Sequence, residues 1–378
     1  MKIITLLFSL LLWSSLLPAQ LQSPEEFFSN YGEEFQFHHE VIRYMEHVAE
    51  ASNRVQWQLY GESTQGRPLG LAIVSAPANL ARLEQWQDRQ QRALLDPHAP
   101  ADTTLPVIVW LSHGVHGNEP GATASALQNL YQLARADRFD LAARLENMIV
   151  IVDPCLNPDG YARYVQFYRS TRGRQPQPAA QSAEHDEPWP YGRVNHYHFD
   201  LNRDWLWQTQ VESRARLAAY LNWRPHVHVD FHEMYPGSHY FFPPATKPYL
   251  SEFQPWQSDL QKVFGNHNAD YFDANQWLYY SHRDFDLFYP SYGDTYPMLQ
   301  GALGMTYEQE GHQVAGLIYR KKSGDTLRLK DRIIHHHTAA MATVEKAAEL
   351  RDQLLENQQQ FYRQKSSSSA YYVYSPND

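Results

Sequence analysis

The 378-residue chain has one cysteine, Cys155. A lone thiol excludes an internal disulfide, so the core must hold itself together by burial and hydrogen bonding. Cys155 stands among Val152, Pro154 and Leu156, the setting of a buried, inert thiol. Long apolar runs are missing after the N-terminus. No later segment offers the roughly twenty apolar residues of a membrane-spanning helix, so the mature chain is expected to be soluble. Basic blocks are missing too, and the formal net charge is −10. Both argue against a nucleic-acid partner. No internal repeat is present, which excludes a solenoid.

What is present begins with a leader. Lys2 supplies a positive start, residues 3–12 an apolar core, and Leu17-Pro18-Ala19 a small residue before a cut. Residues 1–19 therefore read as a secretory signal, and the mature chain is expected to be secreted or periplasmic. No cysteine lies at the cut to carry a lipid. Residues 20–365 are expected to form one domain, since a chain 43% hydrophobic can bury a substantial core. Residues 366–378 read as a polar tail or linker. The 25 tyrosines and 10 tryptophans suit a groove but are read first as an aromatic core.

Periodicity places a helix over residues 23–51 and a hairpin from 55–60 and 69–75 across the turn at Gly61 to Arg67. Helices are expected over 80–95 and 122–135, and buried strands over 107–111, 148–152, 227–231 and 303–307. Strand 107–111, helix 122–135 and strand 148–152 make a βαβ unit. The expected fold is a single α/β domain with a mixed, mostly parallel sheet flanked by helices. Residues 325–364 read as one long helix that allows a break. The Pro- and Gln-rich stretch 175–191 reads as a long surface loop, and long loops in compact domains tend to be functional.

The strongest chemical signal is His113-Gly114-Val115-His116-Gly117-Asn118-Glu119, directly after an apolar strand. Imidazole nitrogen and carboxylate oxygen both suit a divalent zinc ion, and residues three apart can face one ion together. Locally, His113 and His116 are both open as the ligand. A third ligand is offered by His226-Val227-His228-Val229-Asp230-Phe231-His232, where strand alternation puts all three histidines and Asp230 on one side. His232 is favoured because ligands bind outside the carboxyl ends of strands. Thr306-Tyr307-Glu308-Gln309-Glu310 places acids at another strand end, where Glu308 and Glu310 point the same way. Either can serve as base and acid toward a water. Asp200-Leu201-Asn202-Arg203-Asp204-Trp205 supplies an Asn–Arg pair suited to a carboxylate. Asn157-Pro158-Asp159-Gly160 by itself reads as a turn.

Taken in order, HxxE, NPDG, DLNRDW, a strand-terminal His and TYEQ resemble the zinc carboxypeptidase family (carboxypeptidase A-like). The resemblance runs from about Gly61 to about Gly311. It implies a phosphorylase/hydrolase-like fold and one zinc per chain, bound by His116, Glu119 and His232. It implies Glu308 as general base and acid, with Glu310 next in line, and Asn202 and Arg203 as the pair holding a substrate's C-terminal carboxylate. Asp200 matches the acid that orients the first zinc histidine. Phe167-Tyr168-Arg169-Ser170-Thr171-Arg172 is similar to the segment carrying the oxyanion-stabilising arginine, which makes that residue Arg169, with Arg172 as alternative. Tyr289 resembles the tyrosine that closes over the substrate, with Tyr292 nearly equivalent. The implied partner is a peptide or protein with a free C-terminus.

Departures remain. The interval from Arg203 to His232 is short for the digestive enzymes, and residues 291–297 do not match the specificity loop closely. Arg193-Val194-Asn195-His196-Tyr197-His198 matches no motif and carries no assigned role. Two alternatives stand beside peptide hydrolysis: a zinc amidase acting on peptidoglycan stems or small acyl amino acids, and an inactive binding protein that kept the fold.

Overall fold

The structure is a computed structural model that describes residues 20–366 except positions 97 and 139. The expected leader at 1–19 lies outside the described residues, as do residues 367–378 of the expected tail.

Eight strands form the frame: β1 (Val55–Glu62), β2 (Pro68–Val74), β3 (Val107–His113), β4 (Met148–Asp153), β5 (Val227–Met234), β6 (Tyr240–Phe241), β7 (Tyr279–Tyr280) and β8 (Leu303–Glu310). Their order across the sheet is β1-β2-β4-β3-β5-β8-β6-β7. The middle strands β4, β3, β5 and β8 run parallel. The hairpin β1–β2, its junction with β4, and the β8–β6 pair are antiparallel. The fold is thus the expected mixed, mostly parallel α/β sheet.

Alternation along β3 shows why these residues make a covered strand. Val107, Val109 and Leu111 join one apolar core, and Ile108 and Trp110 join the other. Every residue of β3 is buried, as a strand with helices on both faces requires. On the first face lie α1 (His38–Ala51), α3 (Pro120–Arg135), α4 (Pro158–Thr171), α6 (Pro255–Ala274) and α7 (Leu329–Glu349). On the second lie α2 (Leu83–Leu95), α5 (Val211–Trp223) and α8 (Arg351–Ser366).

Three local expectations change. Residues 23–51 do not make one helix. A short helix at Pro24–Phe27 ends before an irregular stretch, and α1 starts at His38. Residues 325–364 open with a short strand at Thr326–Arg328 instead of helix, while the break that the expectation allowed falls at Leu350. The Asn157-Pro158-Asp159-Gly160 turn signal instead starts α4. Asn157 caps it by accepting the Gly160 N–H at 3.0 Å, and Pro158 takes the first helical position, where no N–H is needed.

The connectivity locates the site. From β3 the chain returns to β4 on one side, then crosses to β5 on the other. The carboxyl ends of β3 and β5 therefore flank a topological switch point, the place where open α/β sheets bind ligands.

Candidate metal centre and active site

His113 closes β3 with both ring nitrogens engaged. Its Nδ1 donates to the Asp153 carbonyl at 3.0 Å, and its Nε2 accepts from Asn129 at 3.2 Å. The ring stacks on Phe231 at 4.5 Å. No lone pair is left for an ion, so His113 is a core residue. The chain then turns at Gly114, whose φ of +67° favours glycine. A Cβ at Gly114 would also lie 2.6 Å from the Thr123 hydroxyl oxygen.

That turn delivers His116 and Glu119 to the end of β5. His116 Nδ1 lies 2.8 Å from Glu119 Oε1, and His232 Nδ1 lies 3.1 Å from Glu119 Oε2. The two Nδ1 atoms are only 3.2 Å apart. Each imidazole presents its other nitrogen to a carboxylate: His116 Nε2 to Asp200 at 3.0 Å, and His232 Nε2 to Asp230 at 2.9 Å. A carboxylate on Nε2 keeps the proton there and leaves the lone pair on Nδ1. Both Nδ1 atoms and the Glu119 carboxylate then converge, a set that a cation can bind in place of protons. The donor set fits zinc, which takes nitrogen and oxygen ligands and, with three of them, keeps a position open. Glu119 is further fixed by the Glu233 N–H at 3.0 Å. Burial acts to raise Glu119, but His116 and His232 outweigh it and hold it well below the usual carboxylate range.

A cavity of about 370 Å³ opens over the cluster. Parallel register sets Glu308 of β8 directly beside His232, and Glu308 lines this cavity. Burial pushes its carboxyl up to about 8 against the pull of His232 and Arg193. Glu310 is already committed. It accepts from the Gly237 N–H at 2.9 Å and from Lys321 at 3.0 Å.

Asn202 and Arg203 also line the cavity. Asn202 accepts the Gly293 N–H at 2.7 Å, which leaves its amide nitrogen 3.4 Å from His232 Nε2. The Arg203 guanidinium lies over the Tyr292 ring at 4.5 Å and stays half-exposed. Tyr292 lines the cavity, whereas Tyr289 is not among its lining residues. The Tyr289 hydroxyl accepts from Trp207 Nε1 at 2.8 Å.

Arg169 is not brought to the cluster. It sits on the last turn of α4 and donates to the Phe35 carbonyl at 2.6 Å. Its guanidinium covers the Phe37 ring at 4.0 Å, with Glu34 and Glu40 nearby. Arg172 pairs with Glu34. The physical reason is the direction of α4. Its N-terminal cap, Asn157, is next to the site, while its C-terminal end packs on the segment leading into α1. Besides Arg203, the cavity is lined by Arg193, left without a role by the sequence. Its side chain contacts Asp200 at 3.1 Å and Glu119 at 3.5 Å. Burial works against its charge, but Asp200 and Glu119 outweigh it and hold the pKa above the usual arginine value. The signal that could have found it is position: an arginine seven residues ahead of Asp200, in the loop entering Asp200-Leu201-Asn202.

That loop is itself anchored to the first ligand segment. Glu187 accepts from Asn118 at 2.9 Å and from the Gly192 N–H at 2.6 Å. The long stretch 175–191 is the expected surface loop, with Glu184, His185 and Glu187 buried, and Glu187 ties it to the segment that carries Arg193.

Comparison with known proteins agrees with this geometry. The sequence model for zinc carboxypeptidases matches residues 41–247. The chain belongs to the zinc carboxypeptidase family. Carboxypeptidase 2 of Trichophyton rubrum is 33% identical over 129 residues, 34% of this chain but only 19% of the fungal protein's length. Among solved structures, a metallo-carboxypeptidase from Burkholderia cenocepacia superposes with a TM-score of 0.54 at 17% identity, covering 85% of this chain and 70% of that one. Bovine thrombin-activatable fibrinolysis inhibitor gives 0.54 at 15% identity, covering 85% and 99%. At such identities the structures speak to fold alone. The family match contains His116, Glu119, Asp200 and His232 but ends before Tyr292 and Glu308, whose placement rests on the structure.

Proposed function

We propose that the chain is an exported zinc carboxypeptidase that hydrolyses the C-terminal bond of a polypeptide. One observation carries the reading. The three converging ligands, an acid whose pKa lies near neutrality, and two arginines line a single cavity at the switch point. Export rests on the leader alone.

His116, Glu119 and His232 would hold the ion, with Asp200 and Asp230 fixing the histidine tautomers. When bound, zinc supplies Lewis acidity toward a carbonyl oxygen and lowers the pKa of water. Glu308 takes the proton from the attacking water and returns it to the leaving amine, so it acts first as base and then as acid. Arg193 offers its guanidinium to the negative charge that develops on the scissile carbonyl, a contribution of about 3–4 kcal/mol for donors of this kind. Asn202 and Arg203 hold the terminal carboxylate, which restricts cleavage to the last bond. Tyr292, carrying Arg203 on its face, is the tyrosine placed to cover the bound residue.

The test is mass spectrometry of a peptide library incubated with the purified chain. Loss of single C-terminal residues, abolished by a chelator and restored by zinc, is expected. Internal cleavage, or turnover of C-terminally amidated peptides at the same rate, would rule the reading out.

A further inference from the structure

Arg163 stands on the second turn of α4, partly buried. Among the described residues, every hydrogen bond of its guanidinium goes to a backbone carbonyl of the loop that carries Arg193. Nη1 donates to Tyr191 at 2.8 Å and to Val194 at 3.3 Å, and Nη2 donates to Asn195 at 3.1 Å. Those carbonyls bracket Arg193 on both sides, and a charged donor holds them more strongly than a neutral one would. The same face of α4 is shaped to the loop. Residues 157, 160 and 163 are three apart and share one side of a helix. Asn157 Nδ2 donates to the Arg193 carbonyl itself at 3.0 Å. A Cβ at Gly160 would lie 2.2 Å from the Gly192 carbonyl oxygen and 2.6 Å from that of Val194, so only glycine admits the loop this closely. From the other side Glu187 takes the Gly192 N–H. Asn195, fully buried, turns the chain back toward Asp200 by accepting the Tyr197 and Phe199 N–H groups at 3.0 Å each.

We propose that Arg163 is a positioning residue for the reaction: by gripping the carbonyls on either side of Arg193, it holds that guanidinium where negative charge develops on the scissile carbonyl. The inference rests on the carboxypeptidase reading and adds to it the residue through which Arg193 is placed. Arg163 does not line the catalytic cavity, so its route to the chemistry is the loop. Placement carries weight because an error of about 1 Å in a positioned group costs about 10²-fold in rate. A donor that serves the transition state, once misplaced, lowers kcat and leaves KM nearly unchanged.

The experiment is a double-mutant cycle, with kcat and KM measured on one N-acylated peptide. Arg163→Met removes the donors and keeps an unbranched side chain. Its kcat is expected to fall about 10–100-fold, with KM within about twofold of wild type and zinc content unchanged. Arg163→Lys keeps a charged donor and should recover kcat to within about fivefold of wild type. In an Arg193→Ala background, itself slow, Arg163→Met should cost less than about twofold more, because the group it serves is gone. Should Arg163→Met fail to fold, the lysine variant carries the same cycle, and its smaller loss should vanish in Arg193→Ala. Equal losses in the two backgrounds, or a loss expressed in KM, would show that Arg163 serves the fold alone and overturn the proposal. Wild-type kcat in Arg163→Met would overturn it too, and in each of these cases the carboxypeptidase reading stands. If Arg193→Ala keeps wild-type kcat, the oxyanion assignment of Arg193 fails and takes the proposal with it. If the wild type releases no C-terminal residue, the carboxypeptidase reading itself fails.

Discussion

His228 and His232 lie four residues apart on β5, point to the same side, and are both buried. His228 sits edge-on between Trp205 at 5.4 Å and Tyr220 at 5.5 Å. Neither of its nitrogens has a hydrogen-bond partner among the described residues, and burial pushes its pKa down to about 3. His232 feels the same burial, but Asp230 and Glu119 outweigh it and raise its pKa well above the usual value. The difference is the neighbours. Burial alone makes an imidazole neutral and inert, while burial between two carboxylates favours its charged form and orients both ring nitrogens, one toward the support and one toward the cation site. The same contrast separates two acids. Burial pushes both Glu308 and Asp153 up to about 8. Asp153 accepts the Tyr60 hydroxyl at 3.1 Å inside the fold, whereas Glu308 faces the cavity.

The acids give the largest expected effect. Glu308→Gln should lower kcat by about 10²–10⁴-fold, the usual contribution of a positioned proton carrier, with zinc content unchanged by elemental analysis. Asp153→Asn keeps an acceptor for Tyr60 and should leave kcat within about twofold, since the group only has to be neutral there. Equal losses in both variants would mean that the two acids differ in nothing that matters to the reaction. A smaller effect belongs to the histidine supports. Asp230→Asn leaves all three ligands in place but removes the charge that fixes the His232 tautomer. Zinc affinity, read by competition with a coloured chelator, should fall about 10–100-fold. Affinity within a factor of two of wild type would show that Asp230 serves the core alone.

The fold was legible where the signals were local. The β3 run, the hairpin around Gly61 to Arg67, and the βαβ unit all follow from periodicity and turn residues. The ligand segment was legible because three chemistry-bearing residues fall within seven positions of a strand end. Arg193 was not legible, for two reasons. It lies on an irregular loop with no periodicity, and its place is set by Glu187 reaching back to Asn118, a contact 69 residues apart in sequence. Arg169 misled because its neighbourhood resembled the expected segment while α4 carries it away from the cavity. That Tyr292 lines the cavity while Tyr289 accepts from Trp207, 82 residues away, is a placement that no local pattern announces.

The finest test of the comparison is thermodynamic. In the unfolded chain His228 takes up a proton near pH 6.5, but in the fold burial holds its pKa at about 3. Between those values the unfolded state binds more protons. Stability therefore rises with pH in this window and is lost as pH falls from 6.5 toward 3. At pH 5 this one residue removes about 2 kcal/mol relative to pH 8. His228→Phe keeps an aromatic ring between Trp205 and Tyr220 and has nothing to protonate. The difference in unfolding free energy between variant and wild type, measured in urea, should shift in the variant's favour by about 2 kcal/mol from pH 8 to pH 5. Asp230 works in the opposite direction, attracting a proton to His228. If the two proteins lose stability in parallel, that attraction matches the burial penalty. The contrast between the two ends of β5 would then lie in geometry alone and not in charge.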